Sequence, residues 1–383
     1  MKENSSINVV VIGAVHHNTL GVVRSLGEAK IKKDNIIVFL VGAENKKNIV
    51  STSKYLKKDN IIFLETDSEI VEKLDLIAVD KVKRVIICCS DGSAEEVIKN
   101  NERLKEFFYC PSTKIDISHL MEKEEQTKIA IACGLKAPYS TILNNENYKE
   151  WNKFPCIVKP LKSIIGDKSD IKILNNLDEL SEIVNSEKKL NLQIQEYLKK
   201  QFEFQLIGCS LNDGNDVIIP GYTNIVRQPK NTNTGYLKYS PILNFEFDKE
   251  SVLKFLKTIG YNGLFSIEFI RATDNADYFL EINMRNDGNA YCVQSAGINL
   301  PFLWCFYNFY GKFPEMSFSF SKSLFFMPEF SDFKREVKTV GIFKWIKQFV
   351  CAKSHAIANR KDPRPFWNKM FSSIFKKNKG RIK

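Results

Sequence analysis

The sequence predicts a chain of mixed α/β and α+β modules, on three observations. Near-continuous apolar runs alternate with helix-spaced segments from Asn8 to Phe107, the pattern of a parallel sheet covered on both faces. A shorter α+β stretch follows, and then a larger antiparallel sheet. That sheet ends in a hairpin whose two strands each carry one acid, Glu268 and Glu281. A chain of 383 residues has length for two or three domains.

In the first module the spacing predicts strands at Asn8–Ile12, Ile36–Val41, Ile61–Leu64 and Arg84–Cys89. Helices are predicted over Thr19–Ala29, Asn48–Leu56, Glu69–Ala78 and Ser93–Phe107. The loop GAVHHNTLG after the first strand lacks the G-x-G-x-x-G pattern of a dinucleotide site. His16 and His17 in it either border a substrate or serve the loop alone. A charged helix is expected over Ile117–Ala137, with Gly134 past its end and Pro138 blocking continuation. Strands Cys156–Lys159, Ile171–Leu174 and Leu192–Gln195 and helix Leu177–Ser186 make the second module. Runs at Glu203–Gly208 and Asp216–Pro220 open the larger sheet, and helix Ser251–Gly260 precedes the acidic hairpin.

Composition excludes several function classes. The nine cysteines lack paired C-x-x-C spacing and indicate a reducing cytosol with no zinc site. Four histidines argue against a histidine-centred metal site or triad. No secretory signal is expected before the first strand, and the greasiest stretch, Ile298–Tyr310, is too short to span a bilayer. Of the net charge of +11, seven Lys and three Arg against Asp362 give +9 to residues 352–383. The body is close to neutral, so no nucleic-acid partner is expected.

The hairpin runs SIEFIRATDNADYFLEINMRNDGN from Ser266. Antiparallel pairing across its turn would set Glu268 beside Glu281, and Asn283, two residues on, shares the face of Glu281. Apolar neighbours such as Phe265, Ile267, Phe279 and Ile282 mark the strands as buried on one face. A carboxylate pair so placed needs a cation. Two carboxylates and an amide oxygen suit Mg²⁺, with Mn²⁺ as its substitute, and Arg285 just beyond suits an adjoining anion.

Taken in order, Lys123 in MEKEEQTKIAIACGLKAP, Lys159 in CIVKP, Glu196 and Glu203 after LQIQ, and Glu268, Glu281 and Asn283 resemble the ATP-grasp superfamily over residues 118–301. The first module is similar to the domain that precedes the ATP-grasp modules. The resemblance implies that Lys123 and Lys159 clamp the phosphates of ATP and that Gln195, Glu196, Tyr197 and Leu198 form the adenine hinge. Glu203 or Glu196 would accept from the ribose. Ser163, Gly166 and Lys168 would belong to a phosphate-covering loop poorer in glycine than the family's. Glu268, Glu281 and Asn283 would hold Mg²⁺ on the phosphates. The implied chemistry is activation of a carboxylate as an acyl phosphate followed by attack of an amine. Arg285, and secondarily Arg227, would then steady the carboxylate or oxyanion. The motif EINMRNDGN lacks the proline that many relatives carry after the asparagine. Residues 295–304 are similar to carboxylate–amine ligases of bacterial cell-surface pathways, including D-aspartate ligase-like proteins.

The expected organisation is residues 1–115 as the parallel α/β domain, 116–200 as the small ATP-grasp subdomain, 201–330 as the large one, and 331–383 as a basic amphipathic extension. In that extension PFWNKMFSSIF has helical apolar spacing with lysines around it. Such a helix either meets an anionic membrane or packs on the body. The expected setting is cytoplasmic, at the inner face of the plasma membrane if the tail binds lipid. Small-molecule or lipid-linked substrates fit this setting, and a homodimer is open. The rivals are a bicarbonate-using enzyme and a non-catalytic nucleotide-binding protein.

Overall fold

The computed structural model describes residues 6–144, 146–160, 172–186, 192–229, 234–314 and 322–379. Its first unit holds β1 (Val9–Ala14), α1 (His17–Glu28), β2 (Ile36–Val41), β3 (Ile61–Leu64), α2 (Ile70–Ala78), β4 (Arg84–Cys88), α3 (Asp91–Lys99), α4 (Asn101–Leu104) and β5 (Phe108–Tyr109). The strands form one parallel sheet in the order β3-β2-β1-β4-β5. Alternate residues of β1 feed two cores. Val9 and Val11 pack with Leu20 and Val23 of α1, and Val10 and Ile12 with Leu74 of α2 and Val97 of α3. The order reverses between β1 and β4, and ligands favour the carboxyl edge of such a sheet at that point.

Two helices expected here differ. Residues 48–56 form turns, because the Asn48 side chain accepts from the backbone N–H groups of Val50 and Ser51 at 2.9 Å each and so competes with helix bonding. The helix expected over Ser93–Phe107 breaks at Asn100 into α3 and α4.

The charged helix likewise splits, into α5 (Ile117–Leu120) and α6 (Lys123–Ala132), and Gly134 follows at φ 104°. The small sheet comprises β6 (Ser140–Ile142), β7 (Cys156–Pro160), β8 (Lys172–Leu174) and β9 (Leu192–Glu196), in the order β6-β9-β7-β8. With α7 (Leu177–Ser186) it encloses its own core of Leu143, Trp151, Val158, Leu180 and Ile194.

The large sheet is built from β10 (Lys200–Leu211), β11 (Asp216–Arg227), β12 (Tyr236–Pro241), β13 (Gly263–Ala272) and β14 (Asp277–Asn283), with α8 (Lys249–Ile259) between β12 and β13. After α9 (Tyr291–Ala296) and α10 (Leu300–Tyr310), β15 (Leu324–Met327) joins the same sheet. On one face Phe204, Leu206, Ile267, Phe269, Phe279 and Ile282 pack against Val252 and Phe255 of α8. The other face carries the polar residues.

Residues 331–383 are no free extension. The chain continues through α11 (Glu329–Val340), α12 (Ile342–Cys351), β16 (Ser354–His355) and α13 (Arg364–Lys379), and β16 pairs in parallel with β15 at the sheet's edge. Asp362 is fully buried. It accepts from Arg24 Nε at 3.1 Å, Ser53 Oγ at 2.8 Å and the Lys54 N–H at 2.9 Å. Phe366 packs on Phe330 and the main core, whereas Trp367 and Phe371 are about half exposed.

Removing one partner of a buried pair strands the other. Asp362→Ala should therefore cost about 3–5 kcal/mol, read as a lowered urea midpoint, and the double variant Arg24→Met, Asp362→Leu should recover most of it. Buried Glu329 gives a pH signature. Burial pushes its carboxyl up to about 7, against the pull of the Ile357 and Ala358 N–H groups and of Arg24. Between its ordinary value of 4.5 and about 7, the unfolded chain releases this proton while the folded one keeps it. This group's contribution is thus full below that window and lost as pH rises through it. The Tm of Glu329→Gln relative to wild type should increase from pH 5 to pH 7, and a constant difference would contradict the assignment.

Candidate functional site

The polar face of the large sheet is set by register. Gln205 stands opposite Thr223 on one side and Glu268 on the other; Glu268 faces Glu281, and Ser266 faces Asn283. On β13 the alternation is strict, with Phe265, Ile267 and Phe269 inward and Ser266 and Glu268 on the polar face. On β14 it is not. Phe279 and Glu281 have the same parity, yet Phe279 is fully buried in the α8 core. A bulge between the pairs Glu268–Glu281 and Phe269–Phe279 leaves Leu280 unpaired and turns Glu281 to the polar side.

Cations converge on the two acids. Lys123, at the start of α6, forms an ion pair with Glu281. Burial opposes the charge on Lys123, but Glu281, Glu268 and Asp91 outweigh it and raise its pKa. Burial likewise opposes the charge on Glu281, but Lys123, Arg285 and Lys159 hold its carboxyl below the ordinary range. Lys159 of β7 donates to Gln195 Oε1 at 2.9 Å. Burial, with Lys123 nearby, depresses its ammonium to about 8.

Strand β14 ends at Asn283, yet Arg285 remains at the site. Its guanidinium donates to Asn283 Oδ1 at 2.9 Å, to Asp91 Oδ1 at 2.9 Å and to Asp287 Oδ2 at 3.3 Å. Asp91 begins α3 at the carboxyl edge of the parallel sheet. The Asn286 N–H donates to the Cys88 carbonyl at 2.9 Å, and the Asn18 amide bridges the Cys89 and Asn286 carbonyls at 2.8 and 2.7 Å. The order reversal of the first sheet therefore abuts the loop that follows the acids. His16 caps α1, its Nδ1 accepting from the Asn18 N–H, and burial and Arg285 lower its pKa. His17 is half-buried beside Gly288, where any Cβ would lie 3.1 Å from Nε2.

Two expected site residues face elsewhere. The Arg227 guanidinium is taken by buried Asp332, with Nε–Oδ1 at 3.1 Å and NH2–Oδ2 at 2.6 Å, and it also reaches Gln348 at 3.1 Å over the Tyr236 ring. It ties α11 and α12 to the sheet and is not aimed at the acids. The Glu196 carboxylate lies on the opposite face of β9 from Gln195, accepting from the Tyr139 N–H at 2.7 Å and Lys153 at 3.2 Å. Of the two acids proposed for a ribose, Glu203 shares the face of Gln205 and pairs with Lys200 at 2.7 Å. The Tyr197 N–H donates to the Pro155 carbonyl at 3.2 Å, its side chain is exposed, and Leu198 is half-buried. Ser163, Gly166 and Lys168 lie outside the described residues.

The sequence reading missed Gln205. Its amide N–H group reaches Ser266, Glu268 and Asp287 at 3.3, 3.3 and 3.1 Å, and its oxygen accepts from Thr223 at 3.4 Å and Asn289 at 3.1 Å. Its position two residues after Glu203 was the only available signal.

A divalent cation fits the donor set. The candidate donors on this face are two carboxylates and an amide, a hard all-oxygen group. The oxygens of Glu281 and Asn283 are met by Lys123 and Arg285, cationic donors standing where positive charge is favoured. Asn283 turns its N–H group to Glu268 at 3.5 Å, and rotation of the amide would exchange nitrogen for oxygen.

No family model matches the chain. Over 194 residues it is 29% identical to a D-alanine–D-alanine ligase of Campylobacter jejuni, covering 44% of this chain and 52% of that one. It is 22% identical over 326 residues to the D-aspartate ligase of Enterococcus faecium, covering 78% of this chain and 76% of the relative. The chain spans about half the length of the first of these curated relatives. An N5-carboxyaminoimidazole synthetase of Staphylococcus aureus, solved with ADP, superposes with a TM-score of 0.60 at 18% identity, over 79% of this chain and 78% of that one. The chain has the ATP-grasp fold. Lys159 of the small sheet and Glu281 of the large one lie within electrostatic reach of each other.

With burial and Lys123 depressing the Lys159 ammonium to about 8, a nucleotide phosphate held by Lys159 should be bound less tightly by the protein as pH rises through about 8. The loss should reach about tenfold for one charged contact. Titration calorimetry of Lys159→Met should show weaker binding with no inflection there; an unchanged inflection would assign it to another group.

Proposed function

We propose that the chain is an ATP- and Mg²⁺-dependent ligase that joins a carboxylate to an amine. The observation that carries this reading is the convergence of Lys123, Lys159 and Arg285 on the face of Glu268, Glu281 and Asn283. Two of the proteins it is similar to are a D-alanine–D-alanine ligase and a D-aspartate ligase, which favours amino-acid substrates of peptidoglycan-type metabolism.

Glu268, Glu281 and Asn283 would hold Mg²⁺, with Mn²⁺ the alternative ion. When bound, the ion neutralises charge on the phosphates during transfer. Lys159 and Lys123 meet a triphosphate as point charges from two different modules. The backbone of Gln195 to Leu198 presents hydrogen-bonding groups for adenine, and Glu203 an acceptor for ribose. Arg285, fixed by Asp91, Asp287, Asn283 and the Asn286 carbonyl, offers its one remaining N–H to the carboxylate being activated. The carboxylate attacks the terminal phosphorus, ADP leaves, and an amine displaces phosphate from the resulting acyl phosphate. Arg285 is placed to stabilise the oxyanion of that second step. His16, its pKa lowered by desolvation and by Arg285, lies near Arg285 and Asp287 and would neighbour the amine.

The finer reading adds small or lipid-linked substrates, a cytoplasmic site of action, a peripheral position on the inner face of the plasma membrane and a homodimeric assembly. Among the described residues no helix is long and apolar enough to cross a membrane, which is compatible with a peripheral position.

ADP and phosphate should appear only when a carboxylate donor and an amine acceptor are both supplied, in a pairwise screen of D- and L-amino acids. Glu281→Gln should lower that turnover on the order of 10³-fold with circular dichroism unchanged. Stimulation by bicarbonate alone, or nucleotide binding without turnover across the panel, would replace this reading.

A further inference from the structure

The outer face of α12 has no role in the site. Ile342, Phe343, Ile346 and Val350 are 45%, 86%, 47% and 69% exposed. At helical spacing they fall within an arc of about 100°. The opposite side of the helix is anchored. Trp345 is buried and donates its indole N–H to Asp332 Oδ2 at 2.8 Å, and Gln348 accepts from Arg227 at 3.1 Å. The same Asp332 holds Arg227. The helix is thus fixed from beneath by a buried ion pair, and its apolar stripe is turned to solvent by that anchorage.

The rim of the stripe is basic. Lys344 and Lys347 follow it on α12, and α11 adds exposed Lys334, Arg335 and Lys338. Residues 333–353 hold six Lys or Arg against Glu336 alone. A second copy of the chain would bring like charge against like charge, which disfavours self-association through this face. A surface of anionic headgroups over hydrocarbon matches both parts, because the apolar side chains enter the acyl boundary while the lysines meet phosphate. At ten residues α12 can lie in the interface but not cross it.

We propose that α12, with the basic residues of α11, is the surface by which this chain docks on an anionic lipid bilayer. The proposal rests on the peripheral placement given above and is independent of the ligase chemistry. It moves the contact from the terminal helix α13, whose Phe366 is committed to the core, to an element seated on the large sheet.

The full chain should sediment with vesicles of phosphatidylglycerol and phosphatidylcholine at low salt, detach at high salt, and ignore vesicles of phosphatidylcholine alone. Phe343→Asp with Ile346→Asp should reduce the bound fraction at least about tenfold while ADP binding stays at the wild-type level. Lys344→Glu with Lys347→Glu should reduce it about tenfold or more and flatten the salt dependence. Trp367→Ala with Phe371→Ala on α13 should change it by less than about threefold. Equal sedimentation of wild type and the Phe343/Ile346 variant overturns the proposal. So does wild type that stays in the supernatant, or a chromatographic dimer that the same two aspartates convert to monomer without any lipid effect. The pairwise ADP-release screen is read separately, so loss of lipid binding leaves the ligase reading standing, and the reverse holds.

Discussion

Two carboxylates set directly opposite each other on neighbouring strands define this molecule. Like charges in that arrangement repel, and the half-buried setting of Glu268 and Glu281 sharpens the repulsion. The fold meets it with cations from three separate elements. Lys123 shows how strong the demand is. A lysine in the first turn of a helix lies at the positive end of the helix dipole, an unfavourable place. Glu124 and Glu125 in the same turn offset part of that, and the ion pair with Glu281 supplies the rest. Lys159 is held away from solvent beside Lys123, and its ammonium is weakened by that burial first and by the second cation after it. These are positions that stability alone would not select, and they make sense around a highly charged ligand.

The parallel unit takes part in the site through its edge. The carbonyls at the end of β4 and the N-terminus of α3 bind Asn286, Asn18 and Arg285, so the loop 285–289 is clamped between two sheets. Gly288 suits that clamp, since a Cβ there would lie 3.1 Å from His17 Nε2 and the ring would have to shift. A sheet edge that in other proteins holds a dinucleotide is occupied here by the chain's own polypeptide, consistent with the absence of a glycine-rich fingerprint after β1.

Most of the strands and helices were legible from apolar periodicity, since each is set by local pattern. The acid pair was legible because β13 alternates strictly. What escaped depends on contacts far apart in sequence. The bulge at Leu280 violates strand parity, and only the pairing of Phe279 with Phe269 in the α8 core reveals it. Gln205 gains meaning from Asp287 and Asn289, more than 80 positions away. Arg227 read as an anion site because its partner, Asp332, is 105 residues on. Residues 48–56 carry helical spacing, but Asn48 and buried Asp362 take the donors that a helix would need. Whether the basic end packs on the body stayed open in the sequence for the same reason: neither Arg24 nor Ser53 advertises that it waits for Asp362.

The edges of the large sheet link folding to the site. An exposed edge strand invites pairing with other chains. At one end β16 is only two residues long and is flanked by α12. At the other end β14, the strand that bears Glu281 and Asn283, has its outer hydrogen bonds closed by the α6 segment. Gln126 exchanges bonds with the backbone of Ile282 at 2.9 and 3.2 Å, and the Phe279 N–H donates to the Lys136 carbonyl at 2.7 Å. The helix that begins with Lys123 is therefore the strip that seals this edge. Its register along β14 fixes where the lysine meets Glu281. A displacement of α6 would both open the edge and withdraw the cation from the acid pair, so the bonds that protect the sheet also hold the site in its working geometry.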